Sequence, residues 1–313
     1  MPEPYAVVVG GAAMDVKARS AAPVRMQTSN PGTVTQTPGG VGRNIAEGIA
    51  RLGSPVHLVA AVGDDPAGNA LAQQARTAGI GVGHLVLVPH PTGSYLALLD
   101  HDGELVVAVS DFAATDALTT AGLAGSRELI ADAAVVVVDA NLSAEVFAWV
   151  LRTATDAGVR VVFEPVSVAK AARLAHLVQP AVPIFATTPN TDELAALAGR
   201  PVGTLDELIA ATRLLHDRGV ANVWVSRGVA GSLLSTDGEV TLLQAGPTEV
   251  VDVTGAGDAL TAGFVHGLLT GADVTSAARL GHRVAALTVA SRHTVRPDLA
   301  TAVAESLTTG VTR

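Results

Sequence analysis

Short apolar runs rich in β-branched residues alternate with helical stretches along most of the chain, and this alternation limits the possible folds most strongly. Amphipathic stretches such as 44–52 and 192–198 are each followed by a glycine, Gly53 or Gly199, that can close a helix in the left-handed conformation. The apolar runs are residues 6–9, 57–61, 134–139, 159–163, 184–187 and 222–226. Such uninterrupted apolar strands are typical of parallel sheets that are buried on both faces. The pattern predicts an α/β doubly wound fold, with a mainly parallel sheet flanked by helices and ligands at the strands' carboxyl ends.

Two strand-like segments interrupt this alternation. Residues 94–100 and 104–111 read as strands, and the three residues between them, HDG, are a hairpin turn signal. Residues 17–36 are also extended and lack helical periodicity. We therefore predict a small β sheet, formed by about residues 16–37 and 92–112, that projects from the core. An ordinary surface hairpin is the alternative.

Composition excludes several classes of protein. The chain has 313 residues, 49% of them apolar, which is ample for a full core and argues against disorder. No apolar run reaches the roughly 18 residues of a membrane helix, and the first residues lack the pattern of a signal peptide. The absence of cysteine excludes disulfides and thiolate chemistry and fits a cytoplasmic protein. A net charge of −9 argues against nucleic acid as a partner.

A glycine-rich turn that leads into a helix is the strongest candidate for a chemical site. Residues 252–258 read DVTGAGD and are followed by small and apolar residues. The first amides of a helix lack carbonyl partners and carry partial positive charge, so this turn suits an anion such as a phosphoryl group. Asp258 in the first turn can accept a proton, and Asp252 and Thr254 offer oxygen ligands. The alternative is a glycine loop with an acidic cap.

Two further glycine motifs lie near the start of the chain. The predicted strand at 7–9 runs into Gly10, Gly11 and then Asp15, whose carboxylate can accept hydrogen bonds from sugar hydroxyls. This is not the glycine fingerprint of dinucleotide-binding folds. Residues 37–46 read TPGGVGRNIA, a second glycine turn that opens a helix. A structural turn is the alternative interpretation of each motif.

Together these motifs resemble those of the ribokinase-like (PfkB) family of sugar and nucleoside kinases. The late DVTGAGD stretch is similar to the family's C-terminal signature, and residues 39–44 are similar to its N-terminal one. The resemblance covers nearly the whole chain and implies one domain, residues 1–313. It implies that Asp258 is the catalytic base and that the amides of Gly255, Ala256 and Gly257 form an anion hole. The residues implied to bind substrate in the two early motifs are Asp15, Gly39, Gly40, Arg43 and Asn44.

The same resemblance assigns ATP and cation sites. It implies that Asn190 and Glu193 hold Mg²⁺ through water, although a helix N-cap with acids in the first turn would also explain these two residues. A monovalent cation, K⁺, is common in the family around Asp252 and Thr254. The remaining residues implied to contact ATP are Ser226, Arg227, Gly228, Gly231, Thr254, Gly255, Gly257 and His282.

Motifs in the substrate half narrow the resemblance to bacterial members of the family that phosphorylate pseudouridine. These motifs are SNPG at 29–32, SYLALLD at 94–100, NLS at 141–143, and PVS at 165–167 with Lys170. Glu164 departs from the pattern, which has Asp at this position. The candidates for recognising the base are Asn30, Tyr95, Asp111 and Lys170. The resemblance also implies that the small sheet is a lid and a dimer surface; two insertions that share one sheet favour a lid.

We therefore expect an enzyme that uses ATP and Mg²⁺ to phosphorylate the 5′-hydroxyl of pseudouridine, with Asp258 as the base. A kinase for free ribose or another nucleoside is the first alternative. A catalytically inactive sugar- or nucleotide-binding regulator is the second, and retention of the glycine motifs and Asp258 argues against it. An oxidoreductase of the dinucleotide-binding type is the weakest alternative because its fingerprint is lacking.

Overall fold

The computed structural model describes residues 3–246 and 248–309. The strands are β1 Ala6–Val9, β2 Ala13–Ser20, β3 Gly32–Gly39, β4 Val56–Val59, β5 Ala61–Gly63, β6 Val86–Val88, β7 Gly93–Leu99, β8 Leu105–Asp111, β9 Val135–Asp139, β10 Arg160–Glu164, β11 Ile184–Thr187, β12 Val220–Ser226, β13 Ser232–Thr236 and β14 Glu239–Leu243. The α-helices are α1 Val41–Arg51, α2 Pro66–Thr77, α3 Ala113–Asp116, α4 Arg127–Ala131, α5 Ala144–Asp156, α6 Val168–Leu174, α7 Thr191–Ala198, α8 Leu205–Asp217, α9 Ala256–Leu269, α10 Val274–Val289 and α11 Leu299–Thr309. Among the described residues, no helix has the length and apolarity needed to cross a bilayer.

The central sheet has eight strands in the order β14-β13-β12-β11-β10-β9-β1-β4. The strands from β12 to β4 are parallel to one another, whereas β13 and β14 add an antiparallel edge. The predicted mainly parallel α/β fold is therefore confirmed. Sequence periodicity missed the β13–β14 edge and the small parallel pair of β5 and β6.

Burial on both faces explains the continuous apolar strands. All four residues of β1 are fully buried: Val7 and Val9 contact one hydrophobic core, and Ala6 and Val8 contact the core on the other side. This alternation is what the two-residue period of a strand requires. The first core contains the edge-to-face pair Phe147 and Phe163, and the second contains Trp224 packed against Phe264.

A separate four-stranded sheet has the order β3-β2-β7-β8 and is formed by the two predicted segments. Its two faces differ in polarity. The residues on one face include Asp15, Lys17, Thr37, Tyr95 and Ser110. The residues on the opposite face include Val16, Val34, Leu96, Leu98, Val107 and Val109. The second face is an apolar surface, because four of its side chains are exposed: Val34, Leu96, Val107 and Val109. We call this apolar face the outer face and the polar face the inner face.

Close packing of α1 against α9 joins the early and late halves of the chain. A Cβ atom on Gly48 of α1 would lie 2.6 Å from the Cβ of Ala262 on α9, so only glycine permits this approach. Asn44 and Asp258 lie one turn before Gly48 and Ala262 on their respective helices, and a one-turn step keeps residues on the same helix face. The contact therefore brings the N-terminal ends of both helices together.

Candidate active site

The carboxyl ends of the parallel strands and the N-terminal ends of α1 and α9 meet on one side of the central sheet. The residues that follow or end these strands are Gly10 and Gly11 after β1, Asp139 on β9, Glu164 on β10, Asn190 after β11 and Ser226 on β12. This is the edge where open α/β sheets bind ligands. The predicted acidic and glycine motifs lie along it.

Asp258 and Asn44 are in direct contact. The Asn44 amide Nδ2 donates a hydrogen bond to the Asp258 carboxylate at 2.7 Å, although 214 positions separate the two residues. Burial raises the pKa of Asp258 to about 6, against the opposing effect of the Asn44 hydrogen bond; nearby Asp139 raises it further. Asp258 stays partly exposed to solvent. A carboxylate with this pKa is mostly ionised at neutral pH and can accept a proton.

The turn before α9 has the geometry expected of an anion site. Gly255 is the N-cap with φ 79°, in the left-handed region, and a Cβ there would collide with the backbone of Thr294. The amides of Gly257 and Asp258 lie in the first turn, where the helix supplies no carbonyl partner. A Cβ on Gly257 would meet no atom within 4 Å, so the space beside it is open to a ligand.

Asp15 lies against the early glycine turn. Its carboxylate is so close to Gly39 that a Cβ on that glycine would collide with the Asp15 carboxylate oxygens. Gly40 has φ 91°, and its Cα approaches the backbone of Gly11 so closely that a Cβ would lie 2.6 Å from the Gly11 oxygen. Burial raises the pKa of Asp15, while Lys17 and Arg43 lower it. The structure thus brings together Asp15, Gly39 and Gly40, which were predicted to bind substrate.

Lys170 belongs to a second group of polar side chains, beside the one formed by Asp15 and the early glycine turn. Its ammonium donates a hydrogen bond to the Asn141 amide oxygen and lies 5.2 Å from the centre of the Phe112 ring. Burial lowers the pKa of Lys170, and Asp139 opposes that shift. Asp139 is fully buried, and its carboxylate accepts hydrogen bonds from the backbone amides of Gly11 and Asn141, each at 2.8 Å. This network connects Lys170 to the Gly10–Gly11 turn.

The other candidates for recognising the base have different surroundings. Tyr95 shares the inner face of the small sheet with Asp15. Asp111 pairs with Ser94, which places it on the opposite face, and its carboxylate accepts a hydrogen bond from the Ala113 amide. Asn30 uses both ends of its amide within the loop, where it bonds to the Arg25 backbone at 2.8 and 2.9 Å. The structure therefore groups Tyr95 with Asp15 but does not bring Asn30 or Asp111 to them.

Arg43 points away from the open edge into the protein. It is only 3% exposed, and its guanidinium donates to Glu47 at 2.6 Å and to the Asn44 amide oxygen at 2.7 Å. Glu47 also accepts hydrogen bonds from Arg51. Arg43 therefore contacts the site through Asn44.

Residues predicted to contact ATP lie at the ends of β11 and β12. The Asn190 and Glu193 side chains form a reciprocal capping box at the start of α7, with both bonds at 2.9 Å. The predicted N-cap is thus confirmed. The Ser226 amide bonds to the Pro189 carbonyl, and the Arg227 amide bonds to the Gly231 carbonyl. The first contact joins the two loops at this edge, and the second closes the loop that follows β12.

His282 and Asp252 lie near this edge but are already hydrogen-bonded. The His282 ring stacks on Trp224, and its Nε2 lies 2.7 Å from the Ser232 hydroxyl. Burial lowers the pKa of His282. The Asp252 carboxylate accepts a hydrogen bond from the Thr254 amide at 2.8 Å, which lowers the pKa of Asp252 against the effect of burial. The suggested K⁺ site at these two residues stays a prediction.

Glu164 is a site residue to which sequence reasoning gave no role. It is buried, and its Oε2 accepts hydrogen bonds from the hydroxyls of Thr188 at 2.7 Å and Thr261 at 3.0 Å. Burial raises the pKa of Glu164 to about 8, although the Thr188 bond opposes the shift. Thr261 lies one turn after Asp258 on α9, so Glu164 ties α9 to the sheet. Its departure from the Asp-Pro-Val-Ser pattern was the one available signal.

The family model for the pfkB family of carbohydrate kinases matches residues 3–301. The chain belongs to this family. Pseudouridine kinase of Escherichia coli (strain K12) is 35% identical over 305 residues, covering 97% of this chain and 96% of the relative. A carbohydrate kinase from Agrobacterium tumefaciens has a TM-score of 0.84 at 29% identity, with 97% of each chain covered. Ribokinase from Cryptococcus neoformans var. grubii serotype A, in complex with ADP, has a TM-score of 0.78 at 25% identity, covering 97% and 99% of the chains.

Membership of the pfkB family makes this chain a sugar or nucleoside kinase, which transfers a phosphoryl group to an alcohol. In phosphoryl transfer from ATP, a divalent cation commonly offsets the charge of the phosphates. The acidic residues here fit one, because Glu193 Oε1 accepts no hydrogen bond within the described residues. Glu193 and Asp258 each raise the pKa of Glu164 by repulsion, and a cation would relieve that repulsion. All the offered ligands are oxygens, as Mg²⁺ prefers.

Glu164 should make stability depend on pH. Its pKa rises from 4.5 to about 8 on folding, so the folded state holds a proton that the unfolded state has lost between these values. Stability is fully present below pH 4.5 and should fall as the pH rises towards about 8, with a slope of up to about 1.4 kcal/mol per pH unit. Thermal melts of Glu164→Gln, which cannot ionise, should fall less steeply over this range than those of the wild type. Parallel curves would contradict the assignment.

Proposed function

We propose that this protein is a pseudouridine kinase, which transfers the γ-phosphoryl group of ATP to the 5′-hydroxyl of pseudouridine. One observation carries the proposal: a pseudouridine kinase matches 35% of positions over 97% of the chain. The motifs in the substrate half, including SYLALLD and NLS, support the same substrate. Ribokinases also match this chain, at 28% identity or less, so the acceptor has to be tested directly.

Asp258 is proposed as the general base. The ribose is held by Asp15 with the glycine turn at Gly39 and Gly40, while Asn44 orients the Asp258 carboxylate by the hydrogen bond at 2.7 Å. As the 5′-oxygen attacks the γ-phosphorus, its proton passes to Asp258 and the bond to the ADP oxygen breaks. The transition state of phosphoryl transfer is loose, so placement of the reacting groups matters more than a strong base.

The amides at the start of α9 are proposed to stabilise the transferring phosphoryl group. Gly257 and Asp258 offer free backbone amides, and the helix dipole adds partial positive charge at this point. ATP would lie along the loops at Ser226–Gly231 and before α7. Mg²⁺, held through water by Glu193 and Asn190, would neutralise charge on the phosphates. Lys170 and Tyr95 are proposed to recognise the base, since Tyr95 shares the inner face with Asp15 and Lys170 is linked to the Gly10–Gly11 turn by hydrogen bonds.

The acceptor can be identified by mass spectrometry. We expect incubation with ATP, Mg²⁺ and an equimolar mixture of pseudouridine, uridine, adenosine, guanosine and ribose to give pseudouridine 5′-monophosphate first. Fragmentation distinguishes its carbon–carbon glycosidic bond from the carbon–nitrogen bond of uridine monophosphate. Preferential phosphorylation of uridine or ribose would contradict the proposed substrate and leave the kinase assignment intact. Binding without product would instead favour a regulator.

Replacing the base should remove turnover but leave binding. Asp258→Asn keeps the size of the side chain but cannot take the proton, so kcat should fall roughly 10²–10⁴-fold. The Kd of the nucleoside, measured by calorimetry, should change little, because the carboxylate acts mainly in the transition state. Asp156→Asn, the same change at an exposed position on α5, is a matched control that leaves Asp258 intact. Full activity of Asp258→Asn would show that another group is the base.

The outer face of the small sheet is proposed to bind a second copy of this chain, with the inner face covering the substrate as a lid. The face carries four exposed apolar side chains that together form a patch: Val34, Leu96, Val107 and Val109. Apolar residues on the surface of a monomer are more often scattered singly. Sedimentation at micromolar concentration should give a dimer for the wild type and a monomer for Val109→Lys. Gln179→Lys, at an exposed position before β11 of the central sheet, is the control for added charge. A monomeric wild type would contradict this proposal.

A further inference from the structure

Arg43 and Asn44 form a chain of hydrogen bonds that ends on Asp258. Glu47 accepts from Arg43 Nη1 at 2.6 Å, the Asn44 amide oxygen accepts from Arg43 Nη2 at 2.7 Å, and Asn44 Nδ2 donates to Asp258 at 2.7 Å. Arg43 and Asn44 are both buried, at 3% and 6% exposure. The substrate edge therefore has no direct access to the guanidinium.

The two groups at the ends of this hydrogen-bond series, Arg43 and Asp258, fix the orientation of the Asn44 amide. A guanidinium has only donors and an ionised carboxylate has only acceptors. If the Asn44 amide turned over, its NH₂ would face the Arg43 donors and its oxygen would face the Asp258 carboxylate. Both bonds would then be lost in a buried setting, where unmade hydrogen bonds are costly. Arg43 thus holds Asn44 with its NH₂ towards Asp258.

Arg43 also contributes a positive charge near Asp258, and this charge lowers the pKa of Asp258. Acidic groups approach Asp258 from three strands: Asp15 on β2, Asp139 on β9 and Glu164 on β10. Arg43 comes from α1 and acts against them. The Arg43 guanidinium also forms an ion pair with the Glu47 carboxylate. A second arginine, the more exposed Arg51, contacts the same carboxylate at 3.1 Å.

We propose that Arg43 is a positioning residue for phosphoryl transfer, which orients Asn44 and keeps Asp258 in its ionised, proton-accepting form. Sequence resemblance had placed Arg43 among the substrate-binding residues; the geometry assigns it this indirect role instead. The proposal rests on Asp258 being the base and not on pseudouridine being the acceptor. Any acceptor that the wild type phosphorylates can therefore serve in the test.

The test compares the pH profile of kcat for the wild type, Arg43→Met, Arg43→Lys and Arg51→Met. Activity requires ionised Asp258, so the wild type should gain activity as the pH rises through about 6. Arg43→Met keeps much of the side-chain volume but loses the positive charge and the guanidinium's hydrogen bonds. It should shift this acidic limb upward by about half to one pH unit. It should also lower kcat at pH 7 roughly tenfold, with the KM for ATP unchanged. Arg51→Met removes an ion pair from the same Glu47 and should match the wild type.

Arg43→Lys separates charge from orientation and also covers the case in which Arg43→Met fails to fold. The lysine ammonium keeps the positive charge, so the acidic limb of the kcat profile should stay at the same pH. It lacks the planar guanidinium that donates to two partners at once, so the plateau value of kcat should fall. A wild-type plateau in Arg43→Lys, or a uniform loss across pH in Arg43→Met, would overturn the inference. Asp258→Asn is assayed in parallel. If it keeps full activity, the base assignment fails along with the inference; if it is inactive while Arg43→Met behaves as wild type, only the inference fails.

Discussion

The hydrogen bond between Asn44 and Asp258 is the contact on which the geometry of the site depends. It joins residues 214 positions apart and links the first turns of α1 and α9. Those helices can bring their N-terminal ends so close only because Gly48 has no side chain to separate it from Ala262. The bond thereby places the early glycine turn, which we propose binds the sugar, beside the late one, which we propose binds the phosphoryl group. Two turns that are distant in sequence thus lie at one site.

Buried carboxylates dominate the electrostatics of this edge. Asp15, Asp139, Glu164, Glu193 and Asp258 all have pKa values raised by burial, in a protein whose net charge is −9. An anionic nucleotide cannot be attracted here by side-chain charge alone. Backbone amides, helix dipoles and a divalent cation therefore have to provide the favourable interactions, since they add positive potential without lysine side chains. The same cluster keeps Asp258 near a pKa at which it can exchange protons at neutral pH.

Much of the fold could be predicted from the sequence, because strand burial on both faces leaves a direct mark on residue choice. The run at 6–9 coincides with β1, and Gly199 closes α7 in the left-handed conformation. The antiparallel edge of β13 and β14 was missed, since short strands of mixed polarity lack a distinctive period. Resemblance located the motifs, but it could not give their contacts. The inward orientation of Arg43 and the burial of Glu164 behind α9 both depend on packing between distant segments. Such packing cannot be predicted from a local sequence pattern.

The small sheet presents a different surface on alternate residues of the same strand. Asp15 of β2 lies on the inner face, and its neighbour Val16 lies on the outer one. Point substitutions can therefore change the two faces separately over evolutionary time. An insertion or deletion of one residue within β2 has a different effect, because it exchanges the faces of every later position in the strand. The length of β2 should accordingly tolerate less variation than its composition, with length changes confined to the connecting loops.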